Sequence, residues 1–564
     1  MTPPDRSARV TLLVQPDTLT SASSVLRLAV DIRRFPWIRR LAADYAYDFD
    51  GLAAFFVGHP SQSQAWSDAI ASAQAHPRNR ERMAAILKAQ QERRGAPEEA
   101  RAATDRLADS RTVAILTGQQ AGLFGGPLFT LLKALTAVKL AARVTREHGV
   151  PAVAVFWVES EDHDWQEVSS CSVLDGEMHR CTITLGTPPG AGEGPISSVR
   201  LDPSVMAAVE SLRVTLPATE FTDETLERLA DAYRPGAGMS EAFGRWMESV
   251  LGRLGLIVYD SSEPDTKVLV GHVFTRELES PGTTTRLATE RGHALIERGY
   301  HAQVVPHEDN VALFKLDGIR QTVHRREGAF VVGETQVPAA DLVEESRRRP
   351  KCFSPNVLLR PVVQDTLFPT VCYVAGPNEL AYLAQLRPIY AHFGVPEPLI
   401  FPRASVTLLD SAGAKFLTKY QVPLESLQPG NEAALNHLLE HQLPKSVEGA
   451  FDEVSRTVEA GMARLIDAVP AIDPTLVGAA RSSLGRMQHD LRTLHEKIIH
   501  AAKRRDETLR RQYARARAQA FPDGHPQERS IGFVYFLNRY GPALIDRLHD
   551  DLPLDIGSHW ILSI

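Results

Sequence analysis

Val113-Ala-Ile-Leu116 runs straight into Thr117-Gly-Gln-Gln-Ala-Gly-Leu-Phe-Gly-Gly-Pro127 and then into an apolar stretch reaching Leu140. Few architectures accept that passage. Four consecutive apolar residues before a turn fit a strand covered on both faces, and strand, Gly-rich turn and helix together open an α/β unit. Further apolar runs, Pro151 to Val158, Leu256 to Tyr259, Thr370 to Val374 and Pro398 to Phe401, end abruptly in polar residues, and a helix is predicted over Glu379 to His392. The pattern predicts an α/β fold built on a largely parallel, doubly wound sheet whose strand ends form the ligand crevice.

Around this core the text changes character several times. Residues 1–30 read as a leader without periodicity, and 31–110 as an N-terminal helical layer in which Leu41, Tyr45, Phe49 and Leu52 recur at helical spacing. The core spans 111–410, with β-rich insertions expected near 169–217 and 302–338, where alternation and Gly turns dominate. A helical region, 411–520, follows. Val447, Phe451, Val454, Val458, Met462, Leu465 and Val469 form one seam, and Ala480, Leu484, Met487, Leu491, Leu494, Ile498 and Ala501 a second, separated by Pro470 and Pro474. Such heptads predict an antiparallel coiled-coil hairpin over about 447–517. Residues 521–564 read as a segment returning to the core.

Composition narrows the classes further. The chain has 62 basic and 69 acidic residues, a net charge of −7, which argues against a nucleic-acid partner. Eleven basic against four acidic residues between Arg481 and Arg517 make the second arm locally basic, which reads as a solvated face ahead of an anion contact. No apolar run is long enough to cross a membrane, and four cysteines without C-x-x-C spacing fit a cytoplasmic protein with free thiols.

Three constellations carry candidate chemistry. Thr117, Gly118, Gln119, Gln120 and Gly122 sit before a helix start, where unpaired amides favour an anion, although the spacing matches neither a Walker loop nor a dinucleotide fingerprint. Trp157, Glu159, Glu161, Asp162, His163 and Asp164 follow directly on an apolar strand, so they fall at its carboxyl end. Crowded carboxylates and an imidazole suit proton transfer, and the spacing provides no metal motif. Asn356, Arg360, Gln364, Tyr373, Gly376, Asn378, Glu379 and Tyr382 supply a guanidinium able to clamp an anion, together with a second strand, turn and helix start.

Taken together, Thr117-Gly-Gln-Gln-Ala-Gly-Leu, Gly126-Pro-Leu-Phe-Thr with Lys133-Ala, Val155-Phe-Trp-Val-Glu-Ser-Glu-Asp-His-Asp164, Phe353-Ser-Pro-Asn-Val-Leu-Leu-Arg-Pro, Gly376-Pro-x-Glu-x-Ala-Tyr and Gln527-Glu-Arg with Tyr540-Gly resemble the cysteine-adding enzymes of bacillithiol biosynthesis, the BshC family. Ser160 stands where the family pattern has a small residue such as Gly. The resemblance implies a Rossmann-like core with connecting insertions and a coiled-coil arm used for homodimerisation. It also implies a carbon–nitrogen ligase that joins cysteine to glucosaminyl malate, with ATP or ADP as the associated nucleotide. Catalysis is then expected from His163, Glu161, Asp162 or Asp164, with phosphates cradled at Gly118 to Gly122. A nucleotidyl- or aminoacyl-transferase of related fold, or a non-enzymatic coiled-coil scaffold, are the alternatives.

Overall fold

The computed structural model describes residues 27–430, 433–440, 445–505 and 507–564. Its centre is a five-stranded parallel sheet of β1 (Val113–Gln120), β2 (Ala152–Glu159), β3 (Ile257–Asp260), β4 (Thr370–Ala375) and β5 (Leu399–Pro402), in the order β3-β2-β1-β4-β5. The chain winds outward from β1 to β3, then returns to the other side of β1 for β4 and β5. This is the doubly wound order that the apolar runs predict. β1 pairs with β2 from Val113↔Ala152 to Gln120↔Glu159, and with β4 at Thr117↔Val374.

Alternate side chains divide between two cores. Ile115, Phe156 and Val374 pack on the side of helix α1 (Leu128–His148), while Leu116, Val155 and Tyr373 pack on the opposite side. Both faces are covered, so the strands read as continuous apolar text. The N-terminal helices occupy residues 40–107 but do not form one layer. Trp66 and Ile70 join the α1 side, whereas Leu41, Tyr45, Met83 and Leu87 join the other.

Several boundaries move. Arg27–Asp31, expected within the leader, is a strand that pairs antiparallel with the C-terminal strand Ser558–Ser563, which in turn lies parallel to Ser405–Leu409. Only a tertiary partner makes so short a segment a strand. The rest of the expected leader lies outside the described residues. The first insertion is β-rich only in the hairpin Ser170–Leu174 and Arg180–Thr184; Ser204–Thr215 is a helix, with Val205, Ala208, Val209 and Leu212 buried at helical spacing. The second is an antiparallel sheet from Asn310 to Pro338, completed by Phe353–Pro355.

The hairpin arm consists of α2 (Lys445–Ala468) and α3 (Leu476–Arg505). Gln488 Nε2 donates to Glu459 Oε1 at 3.0 Å and the Phe451 ring meets His495 at 4.8 Å, which sets the two helices antiparallel. The arm does not continue to 517. Helix α4 (Glu507–Ala520) leaves it and buries Leu509, Tyr513 and Ala516 against Phe416 and Leu417, so the basic stretch is divided between arm and body. Among the described residues, no helix is long and apolar enough to cross a membrane. All four cysteines are free.

Candidate active site

β1 and β4 are neighbours whose connections leave in opposite directions, so a crevice opens between their carboxyl ends. Lys133 stands at its floor, only 2% exposed in the second turn of α1. Its ammonium donates to Gly118 O at 2.9 Å, Gln119 Oε1 at 3.2 Å and Glu379 Oε1 at 2.9 Å. The other Glu379 oxygen accepts the Gly376 N–H at 2.6 Å, locking the turn after β4. Burial lowers the Lys133 pKa, and Glu379 opposes that fall.

Arg360 opens the helix Arg360–Leu367 beside this pair. Its Nη2 donates to Tyr382 Oη at 3.3 Å, its Nη1 to Gln364 Oε1 at 3.4 Å, and its Nε lies 3.6 Å from Glu159 Oε2. Burial works against the guanidinium charge, but Tyr382, Tyr373, Glu159 and Glu379 around it more than compensate, and its pKa rises. Glu159 shows the converse. Burial pushes its carboxyl up against the pull of Arg360, with Glu161 adding to the rise. Trp157 fixes Glu159 through Nε1 at 3.1 Å while packing on Tyr259.

Asp162 is the hub of the acidic loop. Gln120 Nε2 donates to its Oδ2 at 2.8 Å, and Arg320 Nη1 and the His163 N–H to its Oδ1 at 3.2 and 2.8 Å. The His163 Nδ1 lies 3.3 Å from that same oxygen, with the ring 56% exposed. A half-exposed imidazole beside a carboxylate is an arrangement a general base can use. Asn378 stands half-exposed on the opposite rim.

Other expected site residues are spent elsewhere. Glu161 is buried in an ion pair with Lys267 and accepts from Ser354 Oγ at 3.0 Å, so its carboxylate ties the loop to the second insertion. Asp164 caps the short helix Trp165–Val168 through the Glu167 N–H, and Asn356 accepts from the Leu358 and Leu359 amides before Arg360. Gln364 is buried behind Arg360 against Asp365. Thr117 donates its hydroxyl to Val374 O at 2.9 Å and stitches β1 to β4.

The loop expected to cradle phosphates at Gly118 to Gly122 is largely engaged by the protein itself. Gly118 lies inside β1, the Gly122 N–H bonds Gln120 O, and the Gly125 N–H bonds Gly122 O and Tyr233 Oη. At the start of α1, the Leu128 N–H is capped by Ile531 O from the C-terminal segment. These contacts leave few amides of the segment for the phosphates of ATP or ADP.

Lys133, Arg320 and Lys267 complete the network, although none is among the site residues expected from the sequence, where Lys133 figures only in a family motif. Lys133 did leave a signal, since it falls in the apolar run Leu131-Leu-Lys-Ala-Leu135, and a lysine in such a run is almost never buried unpaired. Arg320 left none, because it reaches Asp162 from a strand of the second insertion.

Comparison with known proteins places the chain in a wider set. A family model described as "Bacillithiol biosynthesis BshC, N-terminal Rossmann-like domain" matches residues 29–404, and one described as "Bacillithiol biosynthesis BshC, C-terminal coiled-coil domain" matches 406–564. Proteins named "Putative cysteine ligase BshC" from Salinibacter ruber, Koribacter versatilis and Chlorobaculum tepidum are 34%, 33% and 34% identical to the chain. The alignments cover 93%, 92% and 83% of the chain and 96%, 97% and 86% of those proteins.

Proposed function

Because the chain belongs to the BshC family of bacillithiol biosynthesis, we propose that it joins the carboxyl of cysteine to the amino group of glucosaminyl malate as an amide. One observation carries this reading: the crevice unites, from distant segments, a half-exposed imidazole beside a carboxylate and a set of cations at fixed positions. The attacking amine is protonated at neutral pH and must lose a proton. His163, held by Asp162, takes it at the ring nitrogen away from Asp162. Arg360 and Lys133, each already paired with a carboxylate of the protein, lend positive charge to a low-dielectric floor, where fixed cations favour a developing oxyanion without touching it. Glu379 and Glu159 hold those cations in place.

Amide formation requires an activated carboxyl, and ATP or ADP remains part of the proposal through the family, held by a surface other than Gly118 to Gly122. The protein works as a homodimer in the cytoplasm in this reading. Val454, Leu465, Met487 and Leu494 remain 44–51% exposed along the arm, which leaves apolar area for a second copy.

The test incubates purified protein with cysteine and glucosaminyl malate, with and without ATP, and follows bacillithiol, AMP and ADP by mass spectrometry. The product is expected from the unsubstituted protein and lost in His163→Ala, with oligomeric state unchanged. No product under any nucleotide condition rejects the reading, and amino-acid-dependent pyrophosphate exchange with an amino acid other than cysteine would favour a transferase instead.

A further inference from the structure

Gln527, Glu528 and Arg529 belong to the C-terminal segment, yet the turn of helix they form lies against α1. The first two are fully engaged. Gln527 accepts from the Leu408 N–H at 2.8 Å and donates to Leu408 O and Gln519 O, while Glu528 receives both terminal nitrogens of Arg403 at 2.7 and 2.9 Å. Arg529 is therefore held by rigid neighbours, but its own side chain is exposed.

Its guanidinium lies over the Phe129 ring, 6.0 Å from the centroid, and Arg403 lies over the same ring at 5.5 Å. Phe129 is four residues before Lys133 on α1, so the two share a helix face. Arg529 thus stands at the mouth of the crevice above the Lys133–Glu379 pair, and Glu379 acts on it electrostatically. Lys133, Arg360, Arg320 and Arg403 each already face a carboxylate of the protein. Among the described residues, the Arg529 guanidinium makes no hydrogen bond or ion pair. It is the cation of this crevice left for a ligand.

We propose that Arg529 binds a carboxylate of the malate portion of glucosaminyl malate, so that the C-terminal domain supplies a substrate-recognition residue to the Rossmann-like crevice. This rests on the reaction proposed above. The cysteine carboxyl is consumed in that reaction, whereas the two malate carboxylates keep their charge throughout and need a lasting partner. A guanidinium gives such a group paired, charge-assisted hydrogen bonds.

Calorimetric titration of glucosaminyl malate into the full-length protein, without cysteine, reads this contact apart from turnover. Relative to the unsubstituted protein, Arg529→Ala is expected to weaken binding by about ten- to a hundredfold, the scale of one lost charge-assisted contact. Arg529→Lys should recover most of it. Methyl glucosaminide, which lacks the malate, should bind both proteins alike. In steady state the KM for glucosaminyl malate should rise, with the KM for cysteine within twofold and the melting temperature unchanged. Equal titrations for the unsubstituted protein and Arg529→Ala, with turnover intact, overturn the role of Arg529 alone. Failure of the unsubstituted protein to bind or convert glucosaminyl malate overturns both this role and the proposed reaction.

Discussion

Lys133 shows what a single residue decides here. It lies in a stretch where Leu131, Leu132, Ala134 and Leu135 are buried as well, and its ammonium has three acceptors, so it costs little where it stands and much if replaced. Lys133→Met keeps the length of the stem but leaves Gly118 O, Gln119 and Glu379 without their donor. An unsatisfied buried group costs about 1–3 kcal/mol, and Glu379, a quarter exposed, moderates the loss toward the lower end. Urea denaturation of Lys133→Met should show that loss, and turnover should fall more than a hundredfold because the crevice floor loses its charge. Unchanged turnover would remove Lys133 from the site. At this scale the sequence singles out the clusters around His163 and Arg360, and the fold brings both to the crevice. The sequence could not tell Asp162 from Glu161 or Asp164. Those three differ in partners, namely Gln120 with Arg320, Lys267, and a local amide, and two of the three sets come from distant segments.

Elements explain why the Gly-rich turn misleads. Gly125 has φ +94°, and a Cβ there would sit 2.2 Å from the Phe533 ring and 2.9 Å from Trp246. The glycine is needed for close packing by the C-terminal segment. Gly125→Ala should therefore cost about 3 kcal/mol or more, since overpacking adds to backbone strain. Gly149, at φ +65° with nothing within 4 Å of a built Cβ, is the matched control, and Gly149→Ala should cost only about 1–2 kcal/mol from the backbone alone. Equal thermal shifts in the two variants would contradict the packing account. The hairpin arm was legible because heptads are local. Its end was not: α4 continues the helical and basic text, but Leu509 and Tyr513 find partners in the body, which spacing cannot reveal. If the exposed seam is a homodimer contact, light scattering should give a dimer for the unsubstituted protein and a monomer for Leu494→Lys.

Across the whole molecule, the joint between core and C-terminal domain is a buried pair placed just after β5. Arg403 and Glu528 are 2% and 5% exposed, and Ser405 and the Val406 N–H also bond Glu528 at 3.1 Å. Burial alone would raise the Glu528 carboxyl, but Arg403 and these donors hold it down to about 2. A folded-state pKa below the unfolded value makes this a stabilising ionisation, fully present above about pH 4.5 and lost as pH falls through about 2. Glu528→Gln should thus lower stability at neutral pH and flatten its fall between about pH 4.5 and 2, as followed by denaturant midpoints across that range. A parallel fall in both proteins would show that the pair does not govern the joint. By itself the sequence determined the doubly wound core, the coiled-coil arm and the residues gathered at strand ends, because periodicity and apolar runs are set by near neighbours. Tertiary structure alone decided that Arg27–Asp31 is a strand, that the glycine loop is closed, and that Arg320 and Arg529 reach the crevice. Each of those depends on a partner more than a hundred residues away, and the pairing energy that selects it leaves no periodic trace in the chain.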